Sequence, residues 1–345
     1  MLSLMGCVAV MMMNASCVTS RHPVPESDLW LTYHGGEGPG AGKHIMFISA
    51  DQEYRSEQSM PMMAKILAKH HGFDCTVLYG VNEHGEVDPT LPVYPKKGDE
   101  ASFKPHHVPG LEYLKSADLV VFFTRLLTLP DEQLDYIVQY LDSGKPFIAL
   151  RTANHGFKGK LPYKIGDRDE VDFGEMVGGR FMKHHGNWHA DSTRGSIDPA
   201  AKDHPIVRGV TDIWGPSDVY RTYPEGGSLP EDCTALIWGQ PLTGRQPTDP
   251  PNKDKEPLPV AWVKEWTTST GKHARVFHST MGSGKDLQSA GLRRLIVNAV
   301  YWGLGMDEAI SENTNVNYVD EYAPLVSGFN YTELGVKPQK PAAYR

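Results

Sequence analysis

Cysteine is scarce in this chain: four among 345 residues, Cys7, Cys17, Cys75 and Cys233, with no C-x-x-C pair. That excludes a disulfide scaffold and a thiolate zinc site. Basic charge is also short. Lys plus Arg number 34 against 42 Asp plus Glu, a net of −8 with His neutral, so a nucleic-acid partner is not expected. No apolar run reaches the ~18 residues that a membrane-spanning helix needs. No G-x-G-x-x-G follows the first strand candidate. Gly282-Ser283-Gly284-Lys285 lacks the full phosphate-loop spacing, and Asp286 stands where the hydroxyl residue belongs. No nucleotide, dinucleotide or other cofactor is expected on these grounds. What remains, 40% apolar and 22% charged, is the composition of a globular body.

The N-terminus differs from the rest. Met1 to Met13 is apolar and Met-rich, and Asn14-Ala15-Ser16-Cys17 follows. Residues 1–30 therefore read as an export signal or lipoprotein segment with a linker, although no basic region precedes the apolar stretch. Cys17 is the candidate lipid anchor, and the expected location is periplasmic or membrane-anchored. A frayed cytoplasmic terminus is the alternative.

From Lys43 the pattern alternates. His44–Ser49, Cys75–Tyr79, Leu119–Phe123 and Pro146–Leu150 are short apolar strands of the kind buried on both faces of a parallel sheet. Between them, Ser59–His71 reads as a helix with Pro61 in its first turn. A second helix with Leu134, Ile137, Val138 and Leu141 on one face follows Thr128 and Asp131, its candidate caps. Thr234–Trp238, Val260–Trp266 and Arg275–Thr280 are further strands, and Ser289–Leu304 is a final helix. This order predicts a three-layer, doubly wound α/β fold with a mostly parallel sheet over residues 43–305. Residues 306–345 form an irregular tail, and the Pro/Gly-rich loop 82–109 is a candidate cover for the site.

Ligands of such sheets bind beyond the carboxyl ends of the strands, which selects five loops. They carry Asp51, Glu53, Arg55 and Glu57 after the first strand, and Arg125 after the Leu119 strand. Arg151-Thr152-Ala153-Asn154-His155 follows the Pro146 strand. His184, His185 and His189 lie in a later loop, and His278 ends the last strand. The strand–turn–helix at Leu150–Phe157 is where hydrolases of this architecture carry a nucleophile, yet it holds neither Cys nor Ser, which removes a glutaminase mechanism. Thr152 reads more simply as a capping hydroxyl. Arg151, at what reads as a helix N-terminus, is a candidate for holding developing negative charge, or else a structural partner of Glu53 or Glu57. His155 and His185 are candidate acid/base groups. Asp51, Glu53, Arg55, Arg125, His184, Asp218, Tyr220 and His278 are candidate substrate-binding groups. His185 and His189 are four apart, but Gly186 and Asn187 oppose a helix there, so no metal site is assigned.

At the elbow the chain resembles the trehalose-utilisation (ThuA-like) family, whose fold is class I glutamine amidotransferase-like, within the flavodoxin-like architectures. The matching segments are Gly144–Phe157, Gly178–His184, Asp203–Gly209, Ser217–Tyr220, Pro259–Trp262, Arg275–Gly282 and Asn298–Gly303, in family order across about residues 43–305. The family usually has Gly-Leu-His where this chain has Ala149-Leu150-Arg151, and Asp-Glu-x-Tyr where it has Asp218-Val219-Tyr220. The resemblance implies a small-molecule carbohydrate as partner. The leading expectation is acid/base chemistry on a glycoside or keto-sugar, by a hydrolase, lyase or isomerase. The alternatives are a non-catalytic sugar-binding protein and a metal-dependent hydrolase. Oligomeric state is not legible.

Overall fold

The computed structural model of the chain describes residues 22–91 and 105–345. Residues 1–21 of the export segment, Cys17 among them, lie outside the described residues, as do residues 92–104 of the candidate covering loop. In chain order the first half holds β1 (Trp30–Tyr33), β2 (His44–Ala50), α1 (Ser56–His71), β3 (Asp74–Tyr79), β4 (Leu119–Thr124), α2 (Asp131–Asp142) and β5 (Phe147–Leu150). The second half adds α3 (Phe173–Met176), β6 (Lys183–His184), β7 (Thr193–Ile197), β8 (Ile213–Gly215) and β9 (Tyr220–Arg221). β10 (Cys233–Pro241), β11 (Leu258–Thr267), β12 (His273–Ser279) and α4 (Ala290–Gly303) complete it.

Ten strands form one sheet in the order β1-β3-β2-β4-β5-β12-β11-β10-β7-β8, and β6 with β9 forms a separate ribbon. β3, β2, β4, β5 and β12 are parallel neighbours. Counted from β2 this is the flavodoxin-like order 2-1-3-4-5. Beyond β12 the sheet continues antiparallel through β11, β10, β7 and β8, and β1 adds an antiparallel edge on β3. The connections explain the change of direction. Only Thr268–Lys272 separate β11 from β12, a length that closes a hairpin, whereas a parallel crossover needs about a dozen residues or more.

Side chains alternate between two layers, as strand geometry requires. Ile45, Phe47, Val121 and Ile148 pack with Met60 and Met63 of α1 and Leu295 of α4. Met46, Ile48, Val120 and Phe122 pack with Ile137 and Leu141 of α2. Helices thus cover both faces of the parallel half, giving the three-layer α/β fold. Three local expectations change. The sheet starts at Trp30, before the boundary at Lys43. α1 begins at Ser56, because Asp51 folds the preceding loop by accepting from Tyr54 N, and Ser56 Oγ bonds both Asp51 N and Asp51 O. Pro61 consequently lies past the first turn. Pro130, rather than Thr128, occupies the N-cap position of α2, and no side chain caps that helix.

The tail is irregular but wrapped on the body. Arg293 Nε donates to Val316 O at 2.8 Å, Tyr322 OH donates to Gly284 O at 2.8 Å, and Gln58 Oε1 accepts from Leu325 N at 2.8 Å. Gln339 then forms a bridge with Val87, in the loop after β3. Between these anchors, residues 326–329 cross the loops that follow β2 and β4.

Candidate functional site

In this strand order the chain reverses direction of winding between β2 and β4, the switch point where ligands of such sheets bind. Glu53, after β2, and Arg125, after β4, meet across it, with Arg125 Nε 3.1 Å from Glu53 Oε2. Trp188 Nε1 donates to Glu53 Oε1 at 2.8 Å, and His189 Nε2 lies 3.2 Å from the same oxygen. Burial alone would raise the Glu53 carboxyl. The hydrogen bond from His189 and the charge of Arg125 outweigh it and hold the group below the usual range.

Below this layer stands Arg151. It is the elbow residue, with φ 48°, a left-handed conformation that non-glycine residues seldom adopt. Its guanidinium is fully buried between two rings, 3.7 Å from the Tyr220 centroid and 4.5 Å from that of Tyr54. Nη1 donates to Asp218 O and Thr280 O, both at 2.7 Å. Nη2 donates to Asp218 Oδ1 at 2.8 Å and Tyr54 OH at 3.1 Å. Its ionic partner is therefore Asp218, not Glu53 or Glu57. No α-helix opens at the elbow either. Residues Arg151–His155 make one 3₁₀ turn, which ends where Gly156 O accepts from Leu127 N at 2.8 Å. A Cβ on Gly156 would fall 2.2 Å from Thr124 Oγ1, so only glycine permits this approach to β4. Thr152 caps no helix. Its hydroxyl donates to the buried Asp51 carboxylate and ties the elbow to the β2 loop. Burial, reinforced by the charge of Glu53, raises the Asp51 carboxyl.

The β6–β9 ribbon sets His184 directly opposite Tyr220. His184 Nδ1 donates to Asp218 Oδ2 at 2.7 Å, while Asp218 Oδ1 is held by Arg151. Burial alone would raise Asp218, but the Arg151 guanidinium and the His184 hydrogen bond keep it below the usual carboxylate range. Among the described residues, His184 Nε2 has no hydrogen-bond partner, and the side chain is 34% exposed. A half-exposed imidazole, backed by an ionised carboxylate that a buried cation fixes, has the geometry of an acid–base group. Gly186 makes room for it, since a Cβ there would lie 2.8 Å from Asp218 Cβ.

His155 stands across the same rings, with Phe181 4.8 Å from its centroid and 5.1 Å from that of His184. Its Nδ1 bonds Asn154 Oδ1 at 2.8 Å. Burial first, then Arg125, Arg151 and Arg180, push its pKa well below the ordinary value, so it is a neutral, weakly basic ring suited to hydrogen bonding rather than to taking up a proton.

Other expected residues sit elsewhere. Strand alternation sends His185 to the far face of the ribbon, where it meets Arg221 Nη2 at 3.3 Å and Glu256 O at 2.8 Å. Arg55 is fully buried against the tail, donating to Val326 O and Gly328 O. His278 is buried in the sheet, bonded to Ala149 O at 2.8 Å and packed on Trp262, and burial pushes it down to about 3. His184, His185 and His189 do not converge, and no group of three or more possible metal ligands occurs among the described residues. The backbone of the Gly282 loop is also committed, because Asp286 accepts from Gly282 N, Ser283 N and Ser217 N, each at 3.0 Å. Sequence reasoning passed over Tyr54, Phe181, Trp188 as a site residue, and Phe329. Trp188 sits within the His-rich loop and was open to notice, but nothing local marks Phe329.

These features define an α/β protein of flavodoxin-like strand order whose elbow carries a buried arginine in place of a nucleophile. The ThuA family, described as trehalose utilisation, matches residues 96–303, and the chain belongs to that family. Among solved structures it is similar to a ThuA-like protein from Bacteroides uniformis, at 16% identity and TM-score 0.48, over 80% of this chain and 96% of that one. A ThuA-like protein from Parabacteroides merdae is similar at 11% identity and TM-score 0.46, over 88% and 99%. A β-galactosidase from Rahnella sp. R3 is similar at 10% identity and TM-score 0.39, over 77% of this chain and 32% of that one. No curated protein sequence matches the chain.

Proposed function

We propose that this protein is a carbohydrate-directed enzyme, acting on a glycoside or keto-sugar by acid–base chemistry that needs no nucleotide cofactor. The observation that carries the reading is the His184–Asp218 pair. Asp218 fixes one ring nitrogen at 2.7 Å, leaving Nε2 for the proton that moves. Neutral His155, on the other side of Phe181, supplies a second imidazole that can hydrogen-bond a substrate hydroxyl. Arg151 is a positioning residue, because its guanidinium is closed off and acts through Asp218. The substrate class follows the family description, trehalose utilisation, and the aromatic and hydroxyl-binding groups of the rim agree with it.

The test is a panel of disaccharides and 3-keto-disaccharides, with binding and turnover measured in parallel. His184→Gln should lower kcat/KM by about 10²–10⁴, and His185→Gln should leave it unchanged. Equal turnover in wild type and His184→Gln would refute the assignment. Binding without turnover by wild type would favour a sugar-binding protein. Stoichiometric metal in protein purified without added ions would favour a metal-dependent hydrolase.

A further inference from the structure

Large apolar side chains seldom stand exposed in a cluster unless they meet something. Here two exposed aromatics from separate segments of the chain meet at the candidate site. Trp188, 47% exposed, lies in the loop after the β6–β9 ribbon's first strand, and Phe329, 43% exposed, lies in the C-terminal strap. Their ring centroids are 6.4 Å apart and their planes are inclined at 43°, so they form a wedge and not a closed stack.

Both rings are held in place. Trp188 is fixed through Nε1 on Glu53 and by the His189 ring, edge-on at 4.2 Å. Phe329 lies over the Arg125 guanidinium, 5.2 Å from its centroid. The strap that carries it is pinned on both sides. Arg55, fully buried, donates to Val326 O at 3.1 Å and to Gly328 O at 2.7 Å, and Gly328 N donates to Glu53 O at 2.9 Å. A buried guanidinium that makes two of its three carbonyl contacts to the strap is a costly way to hold a surface segment that does nothing there.

We propose that Trp188 and Phe329 form an aromatic lip that receives the apolar face of a pyranose ring, so that the C-terminal strap is part of the ligand site. The inference rests on the sugar-directed reading above and adds how the sugar is held. A pyranose presents one face of C–H groups, which suits an aromatic ring, and a perimeter of hydroxyls, which suits carboxylate, guanidinium and imidazole groups. Arg125 and His184, both partly exposed, supply such groups beside the wedge, and the buried Glu53 holds Arg125 and Trp188 in place. A purely apolar ligand would leave His184 Nε2, which has no partner among the described residues, still unmatched.

Calorimetric titration of glucose, trehalose and a 3-keto-disaccharide into wild type, Phe329→Ala, Phe329→Tyr and His184→Gln tests the lip. Phe329→Ala should weaken Kd about tenfold at an unchanged Tm. Phe329→Tyr should stay within about threefold of wild type, because it restores the ring. His184→Gln should still bind while losing turnover. Wild-type affinity in Phe329→Ala would overturn the lip and leave the acid–base assignment standing. An aromatic variant as weak as the alanine variant would show that only strap placement matters, which also overturns it. If wild type binds none of the three sugars, the lip and the sugar-directed reading fall together.

Discussion

Below Tyr220 the candidate site is closed, and above it the site is open. Arg151, Thr152, Asp51 and Asp218 are buried, and their polar atoms serve one another across three loops. His184, Trp188 and Phe329 keep a third to half of their surface free. The two levels therefore have different work. The lower one fixes backbone and charge, because buried polar groups must find partners inside the protein. The upper one can exchange protein contacts for ligand contacts. The elbow after β5, where an α/β fold can place a nucleophile, here belongs to the lower level, and His184, the proposed acid–base group, sits on the β6–β9 ribbon.

The sharpest way to break this comparison is to remove the lower level's anion. Asp218→Asn leaves the Arg151 guanidinium buried without its counter-charge, and denaturant unfolding should show a loss of about 3–5 kcal/mol. A loss below about 1 kcal/mol would mean that the lower level is not an electrostatic unit. Glu57 gives the next effect. It is buried on α1 beside the site, and burial, opposed by Arg55, pushes its carboxyl up to about 7. The folded protein keeps this proton while the unfolded chain releases it near 4.5. Stability from this group is therefore lost as pH rises from the unfolded value through about 7. Glu57→Gln should gain about 2–4 kcal/mol at about pH 8 and almost nothing at about pH 4, as read from unfolding curves at both. Equal gains at the two pH values would contradict the assignment.

Smaller changes sharpen the boundary between the levels. Tyr54→Phe removes a hydroxyl that accepts from Arg151 and from Tyr220 OH at 3.2 Å, and should cost about 1–2 kcal/mol. Trp188→Phe keeps a ring on the upper level but drops the bond to Glu53. It should change stability by no more than about 0.5–1 kcal/mol.

What the sequence shows of this arrangement follows from local pattern. β2, β4, β5 and α4 emerge within about a residue of expectation, because each is an apolar run or stripe bounded by turn residues. β7 and β8, with Thr193-Arg194-Gly195 and Ile213-Trp214-Gly215, are short and carry no alternation, and they are held by pairing with β10 and with each other. The strand-end rule brings Glu53, Arg125, Arg151, His155 and His184 together, whereas Asp218 and Tyr220 come from the segment after the Trp214 turn that resembles the family. It cannot say which of them are sealed. Arg151 reads as an anion-holding group until Asp218 and the two tyrosines close around it. His184 and His185 are equivalent as neighbours in sequence, and only the pairing of β6 with β9 separates their faces. Phe329 arrives from a tail without periodicity, through contacts to Arg55 and Glu53 that lie more than 270 residues away in the chain.

The most direct test of the division is thermal unfolding of Arg151→Met and His184→Gln side by side with wild type. The account predicts that Arg151→Met, which strands Asp218 without a cation, melts about 5–15 °C below wild type. His184→Gln should melt within about 2 °C of wild type. If Arg151→Met melts with wild type, or His184→Gln falls as far as Arg151→Met, the separation between a closed structural level and an open working level is contradicted.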